Sequence, residues 1–422
     1  MDGLILTDIN ELVTCRGDAP RKGRAMADAG IVRKGCVVIE GDRIAAAGPV
    51  DDVIHEYNPN YYKIIDCSSN AVLPGFIDSH THFVFAGHRE EEFSMRLAGS
   101  TYMEIMASGG GIASTVAATR LASLEKLVEL GKSRADSMIS LGVTTVEGKS
   151  GYGLDLDNEL KQLRAMKLIN DGHPIDVVPT FMGAHAVPGE FKGRSNDYLE
   201  YLIETVLPVV KKENLARFVD IFCEKGAFNV WQSEYYLMKA REMGFGIKLH
   251  ADEIVNLGGA KLAADIGAVS ADHLLMTDNE GIRAMADNDV ISTLLPATAF
   301  CLREKFADAR KIIDSGGAVA LATDFNPGSS YTNSIPFVIA LAALGMRMSA
   351  EEIVNALTIN GACALGIQED KGSIEAGKKA DLVILENPSI GFLAYNTGMN
   401  QILTVIKDGK VVYNRNERHE LG

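Results

Sequence analysis

Eight short apolar runs, each ending in polar residues, most narrow what this chain can fold into. They are GFIDSHTH, VTTVEGKSG, DVVPTFMGAH, FVDIFCEKG, GIKLHADE, AVSADHL, VISTLLP and AVALATDFN. Strands buried on both faces read as continuous apolar runs, and parallel strands need crossover connections between them. Helical stretches such as SLEKLVELGKSRADSMISLG and NELKQLRAMKLIND supply those connections. Eight such units close naturally into an α/β fold of the (β/α)8 TIM-like barrel type. In such a barrel the C-terminal ends of the strands carry the active site. His80, His82, Glu147, His185, Glu224, His250, His273 and Asp324 all fall at those ends, so they are expected to converge on one mouth.

The two chain ends read differently. LILTDI, CVVIEGDRIAAAG and YKIIDCS, and later KGSIEAGKKADLVILENP and QILTVIKDGKVVYNR, are β-rich runs broken by Gly and Asp turns. Asp408-Gly409 is a hairpin signal. Residues 1–70 and 370–422 are therefore expected to pair into a small β-sandwich domain, leaving 71–369 for the barrel.

With 422 residues, 47% of them hydrophobic, the chain can bury a large core. A net charge of -15 argues against nucleic acid as a partner, because phosphate binding needs clustered Lys and Arg. The same charge means that a small anionic substrate would need a local cation to hold it. The six cysteines are scattered without a CxxC pair, which suits reduced thiols. The first residues lack the long apolar core of a secretory signal, and no stretch is long enough to span a bilayer, so a cytoplasmic protein with no membrane partner is expected. Dimers are common for such barrels, and no motif in the sequence specifies a homodimer.

His80-Thr81-His82 can present two imidazoles to one ion, since residues i and i+2 of a strand share a side. A strand His is more often a packing residue, but His250 ends the fifth run and Asp324 the eighth. Three neutral imidazoles and a carboxylate suit Zn²⁺ or a similar first-row ion. The other reading of Asp324 is a helix cap in TDFNPG. Glu253 follows His250 by three residues; it reads equally as a proton carrier or as a first-turn Glu favoured by the helix dipole. His273 reads as a carbonyl-polarising group or as a hydrogen-bonded core His. Asp252 and Asp272 are expected to point the other way along their strands, in structural roles. Gly109-Gly110-Gly111 lacks the pattern of a phosphate loop and reads as a turn near the mouth.

PGFIDSHTH, HADE, SADH and ATDFNPGSS, with GSIEAGKKADLVIL near the C-terminus, resemble the amidohydrolase superfamily over nearly the whole chain. Within it, GGGI, KSGYGL, TFMGAHAVP, KLHADE and NPGSS are most similar to the hydrolases that open the ring of 4-imidazolone-5-propanoate to N-formimino-L-glutamate in histidine breakdown. The resemblance implies one Zn²⁺ or Fe³⁺ ion per subunit held by His80, His82, His250 and Asp324. It favours proton transfer by Glu253, oxyanion stabilisation by His273, and a combined ligand and proton-transfer role for Asp324. Some relatives bridge two metals with a modified lysine after strand four; Lys225 reads here as a loop residue, and one metal is expected.

For the substrate, Arg89 in AGHREEEF is the expected carboxylate clamp, with pairing to Glu90, Glu91 or Glu92 as the alternative. Tyr152 and His185 are candidates for the ring, Tyr102 is a weaker one, and Asn326, Gly328 and Ser329 form a turn that offers backbone N–H groups. Two other functions compete: a deaminase of a cyclic amidine or purine base, for which a carboxylate clamp is superfluous, and a barrel scaffold without catalysis.

Overall fold

The computed structural model describes residues 3–99 and 110–417. Tyr102 and Gly109 lie outside the described residues.

The N-terminal segment forms β1 (Gly3–Val13), β2 (Ile31–Glu40), β3 (Arg43–Pro49), β4 (Tyr62–Asp66) and β5 (Ala71–Pro74). The barrel follows with β6 (Phe76–Asp78), β7 (Val143–Lys149), β8 (Asp176–Ala184), β9 (Phe218–Cys223), β10 (Gly246–Ala251), β11 (Ser270–His273), β12 (Ile291–Leu294) and β13 (Val319–Leu321). The chain then adds β14 (Leu382–Leu385), β15 (Ile402–Lys407) and β16 (Lys410–Asn414).

Strands from the two chain ends make one mixed sheet in the order β16-β15-β14-β5-β1-β2-β3, with β4 also on β1. The ends meet where β14 runs antiparallel to β5, Val383 opposite Leu73. Asp408 and Gly409 both have positive φ (48° and 73°), as a two-residue hairpin turn requires. One face of this sheet buries Leu6, Ile9, Leu12, Val37, Ile384 and Ile406 as an apolar cluster of its own.

The eight expected barrel strands are all present, hydrogen-bonded in sequence order from β6 to β13 and parallel throughout. Every residue of β7 is buried, including Glu147 and Lys149 at its C-terminal end, so its apolar N-terminal half packs while its end carries charge inside the barrel. The connecting helices begin where the sequence offers caps. Ser123 accepts a bond from the Lys126 N–H at the start of Leu124–Ser140, and Asp155 does so from Asn158 at the start of Leu156–Gly172.

The seam between first and last strands is closed beyond their ends. Thr81 bridges Phe325, the Asp324 N–H donates to the His80 carbonyl (3.0 Å), and the His82 N–H donates to the Phe325 carbonyl (2.9 Å). Asp78 accepts from both the N–H and the hydroxyl of Thr323. The His-Thr-His segment is thus not part of β6; it is an extension of it, held straight by these cross-seam bonds.

At the opposite barrel end Lys407 ties the sheet to β8. Its Nζ lies 2.5 Å from Asp408, 2.9 Å from Asp176 and 3.2 Å from Asp381, and its side chain is 2% exposed. Lys407→Met is expected to cost about 2 kcal/mol, less than the ~3–5 of a fully buried pair because Asp176 and Asp408 are partly in water. A lowered urea midpoint with unchanged turnover is the result to look for.

All six cysteines are free thiols. No described helix is long and apolar enough to cross a membrane.

Candidate metal centre

Five imidazoles gather at the C-terminal mouth. His80 lies 4.5 Å from His250, His250 lies 5.1 Å from His273, and His82 stacks on His185 at 5.0 Å, between ring centroids. Their backbones explain the convergence. His250 belongs to β10 and His273 ends β11, while His185 follows β8 directly. Asp324 stands beyond β13 with φ of 50°, and His273 and Leu274 have φ of 76° and 63°. Such left-handed residues cost energy, and they cluster where side chains must be aimed.

The donors suit a cation. Among the described residues, His80, His82 and Asp324 offer ligand atoms within 4.8 Å of one another, and so do His80, His250 and His273. The Nε2 atoms of His80 and His250, and Nδ1 of His82 and of His273, are buried without a hydrogen-bond partner. A buried polar atom left unpaired is costly, and a metal ion would satisfy several of these at once. Burial holds His80, His82 and His250 well below the usual imidazole range, and His185 and His273 at about 4. Neutral imidazole is the form that binds a metal. The family and this His/Asp cluster together imply a divalent ion.

Asp324 Oδ1 lies 3.4 Å from His80 Nε2, while its other oxygen accepts from Thr298 (2.6 Å). Burial pushes its carboxyl up to about 7. The Nδ1–H of His80 donates to Asp272 (2.6 Å), which aims Nε2 at the centre. Asp272 is therefore a correction: alternation predicts it facing away from His273, but the positive φ of His273 breaks the alternation, and both side chains turn inward. Asp252 does point away, accepting from the N–H groups of Leu257, Gly259 and Ala260 and from the Thr277 hydroxyl.

Glu253 stands just past β10, its Oε1 3.6 Å from His273 Nδ1. Burial, then the Asp324 and Glu224 charges, push its carboxyl up to about 8. Glu224 shapes this loop by accepting from the Ile254 and Val255 N–H groups. Lys225 is exposed, outside the cluster.

Arg89 donates twice to Glu92 (2.9 and 2.8 Å), which is the pairing alternative weighed from the sequence. Its Nη1 faces Gly328 so closely that a Cβ there would lie 2.4 Å away. Asn326 spends its carbonyl on the N–H groups of Gly328 and Ser329 and its amide on the Ser329 hydroxyl, so it shapes this turn. Tyr152 is buried, with its ring 5.8 Å from His82 and 5.4 Å from His185. The Nδ1–H of His185 donates to the Gly151 carbonyl (3.2 Å).

Sequence reasoning missed the layer packed against these imidazoles, where Lys149, Lys248 and Asp220 join Glu147 and Asp272 in one buried ion cluster. The available signal was a charged residue inside an apolar strand run, as in FVDIF and GIKLH.

Residues 71–412 match the model of the Amidohydrolase family. An imidazolonepropionase of Clostridium tetani is 56% identical over 98% of both chains, and one of Parabacteroides distasonis is 52% identical over 97% of this chain and 98% of that one. Among solved structures, a zinc-bound adenosine deaminase from Xanthomonas campestris aligns with a TM-score of 0.71 at 18% identity, covering 98% of this chain and 93% of that one. A guanine deaminase of E. coli aligns at 0.70 and 16%, covering 98% and 99%. The deaminases share the fold alone, whereas the full-length identities reach much further: this chain belongs to the amidohydrolase family, in its imidazolonepropionase branch.

Proposed function

We propose that this chain hydrolyses 4-imidazolone-5-propanoate to N-formimino-L-glutamate, a step of histidine breakdown, in the cytoplasm. One Zn²⁺ or Fe³⁺ ion per subunit would be held by His80, His82, His250 and Asp324, and the assembly would be a homodimer. The observation that carries the reading is the set of unpartnered buried imidazole nitrogens beside Glu253, in a chain with 56% identity to an imidazolonepropionase over its whole length. We also assign 71–369 to the catalytic barrel, and 1–70 with 370–422 to a flanking β domain, with Ala71–Pro74 passing through the sheet of that domain before the first barrel strand begins at Phe76.

When bound, the ion is a Lewis acid that eases deprotonation of water and polarises a carbonyl. Glu253 takes a proton from the water that attacks the ring carbonyl carbon. It returns that proton to the ring nitrogen as the C–N bond breaks, leaving the formimino nitrogen and a carboxylic acid, which loses the second water proton to solvent and becomes the carboxylate. Asp324, beside His80, assists this proton transfer. His273, neutral with one N–H, donates to the carbonyl oxygen as charge builds on it. Tyr152 and His185 flank the ring, and Tyr102 remains a candidate contact. Arg89, released in part from Glu92, takes the propanoate against the Asn326-Gly328-Ser329 turn.

Product formed from freshly made substrate, abolished by chelation and restored by metal, is the expected assay result. No product from metal-loaded protein would discard the substrate. Arg89→Ala is expected to raise KM by about 10–100-fold with kcat little changed, the worth of charge-assisted hydrogen bonds formed equally in ground and transition states. An unmoved KM would take Arg89 out of the pocket.

A further inference from the structure

Beneath the proposed ligands, Lys149 stands where a second cation would be drawn. It ends β7 and is fully buried. Its Nζ lies 2.7 Å from Asp220 Oδ2, 3.1 Å from Glu147 Oε2 and 3.4 Å from Asp272 Oδ2. An ammonium has three N–H donors, and three carboxylates surround this one. The same carboxylates, with His80 and His250, also form two groups able to hold a metal: His80, Glu147 and Asp272, and Asp220, His250 and Asp272. Two of their oxygens, Glu147 Oε2 and Asp220 Oδ1, are buried and accept no hydrogen bond.

The lysine also reaches the proposed ligands through its partners. Asp272 Oδ2 is 2.6 Å from His80 Nδ1, and Asp220 Oδ2 is 3.1 Å from His250 Nδ1. One ammonium thus holds the carboxylates that face the Nδ1 atoms of both rings. Lys248 pairs directly with Glu147 (2.8 Å) and its charge acts on Asp220 and Asp272 from further off, so among the described residues it does not duplicate the direct contacts of Lys149.

We propose that Lys149 is a positioning residue that acts as a built-in second cation. It occupies the space between Asp220, Asp272 and Glu147, limits the centre to one metal ion, fixes His80 with Nε2 outward through Asp272, and holds Asp220 beside His250. The proposal rests on the ligand assignment of the preceding section. Without Lys149, three carboxylates face the single charge of Lys248, and a divalent ion supplies what is lacking.

The test is metal content per chain, by elemental analysis after equilibration with excess Zn²⁺ or Co²⁺ and removal of free ion. The full-length protein should hold one ion and Lys149→Ala two; adding Asp220→Asn to Lys149→Ala should return the count to one. One ion in both the parent and Lys149→Ala overturns the role of Lys149 alone. No ion in the parent overturns the ligand assignment, and the proposal with it. Should Lys149→Ala not fold, titration of the parent decides: one ion at saturation supports the proposal, and a second ion bound between Asp220 and Asp272 with Lys149 displaced overturns it.

Discussion

Glu253→Gln should keep one metal ion per chain while kcat falls by about 10²–10⁴-fold, the usual worth of a positioned proton carrier. The substitution keeps the shape of a side chain that is 12% exposed and removes only its capacity to take a proton. The loop should survive it, because Glu224 pins the loop through the backbone of Ile254 and Val255, not through Glu253. The pH profile supplies a second readout. A carboxyl raised to about 8 by burial is protonated, and useless as a base, at lower pH; an adjacent cation acts in the opposite sense and draws that value down. The parent should therefore gain activity with rising pH along a limb that Glu253→Gln lacks. Loss of the ion in the variant would make Glu253 a ligand, and undiminished kcat would place the base elsewhere.

His80→Ala should abolish both metal and turnover. His80 is shared by the group with His82 and Asp324 and the group with His250 and His273, so among the described residues no other single one removes as much of the donor set. Loss of a partner outside the ligand shell already weakens metal binding about 10–100-fold, and loss of a ligand should exceed that. Elemental analysis of the dialysed variant is the check. A full complement of metal there would move the centre away from the His-Thr-His segment.

The barrel was legible because its strands are buried on both faces, which writes most of them into the sequence as short, largely apolar runs. The donors were legible because the fold places function at the ends of those runs. What escaped was partnership. Nothing in FVDIF says that Asp220 meets Lys149, 71 residues away. Nor does SADH say that a positive φ at His273 swings Asp272 onto His80. The placement of His80 and His82 past β6, not within it, was hidden for the same reason: what straightens them is the backbone around Phe325. Arg89 shows the limit on the other side, since the sequence offered both a clamp and a partner for Glu92, and the structure brings the pair together.

The cross-seam bonds bear on assembly in time. Asp78 and Thr323, joined across the seam, are 245 residues apart, and Asp324 follows at once. A chain emerging from the ribosome has His80 and His82 early but cannot assemble the full proposed donor set until its eighth strand has arrived and closed the ring. An ion bound by both sides of the seam then acts as a clasp on the finished cylinder. Retention of such an ion would report that synthesis and closure are complete, and its removal should loosen the molecule first at the join between its oldest and newest barrel strands.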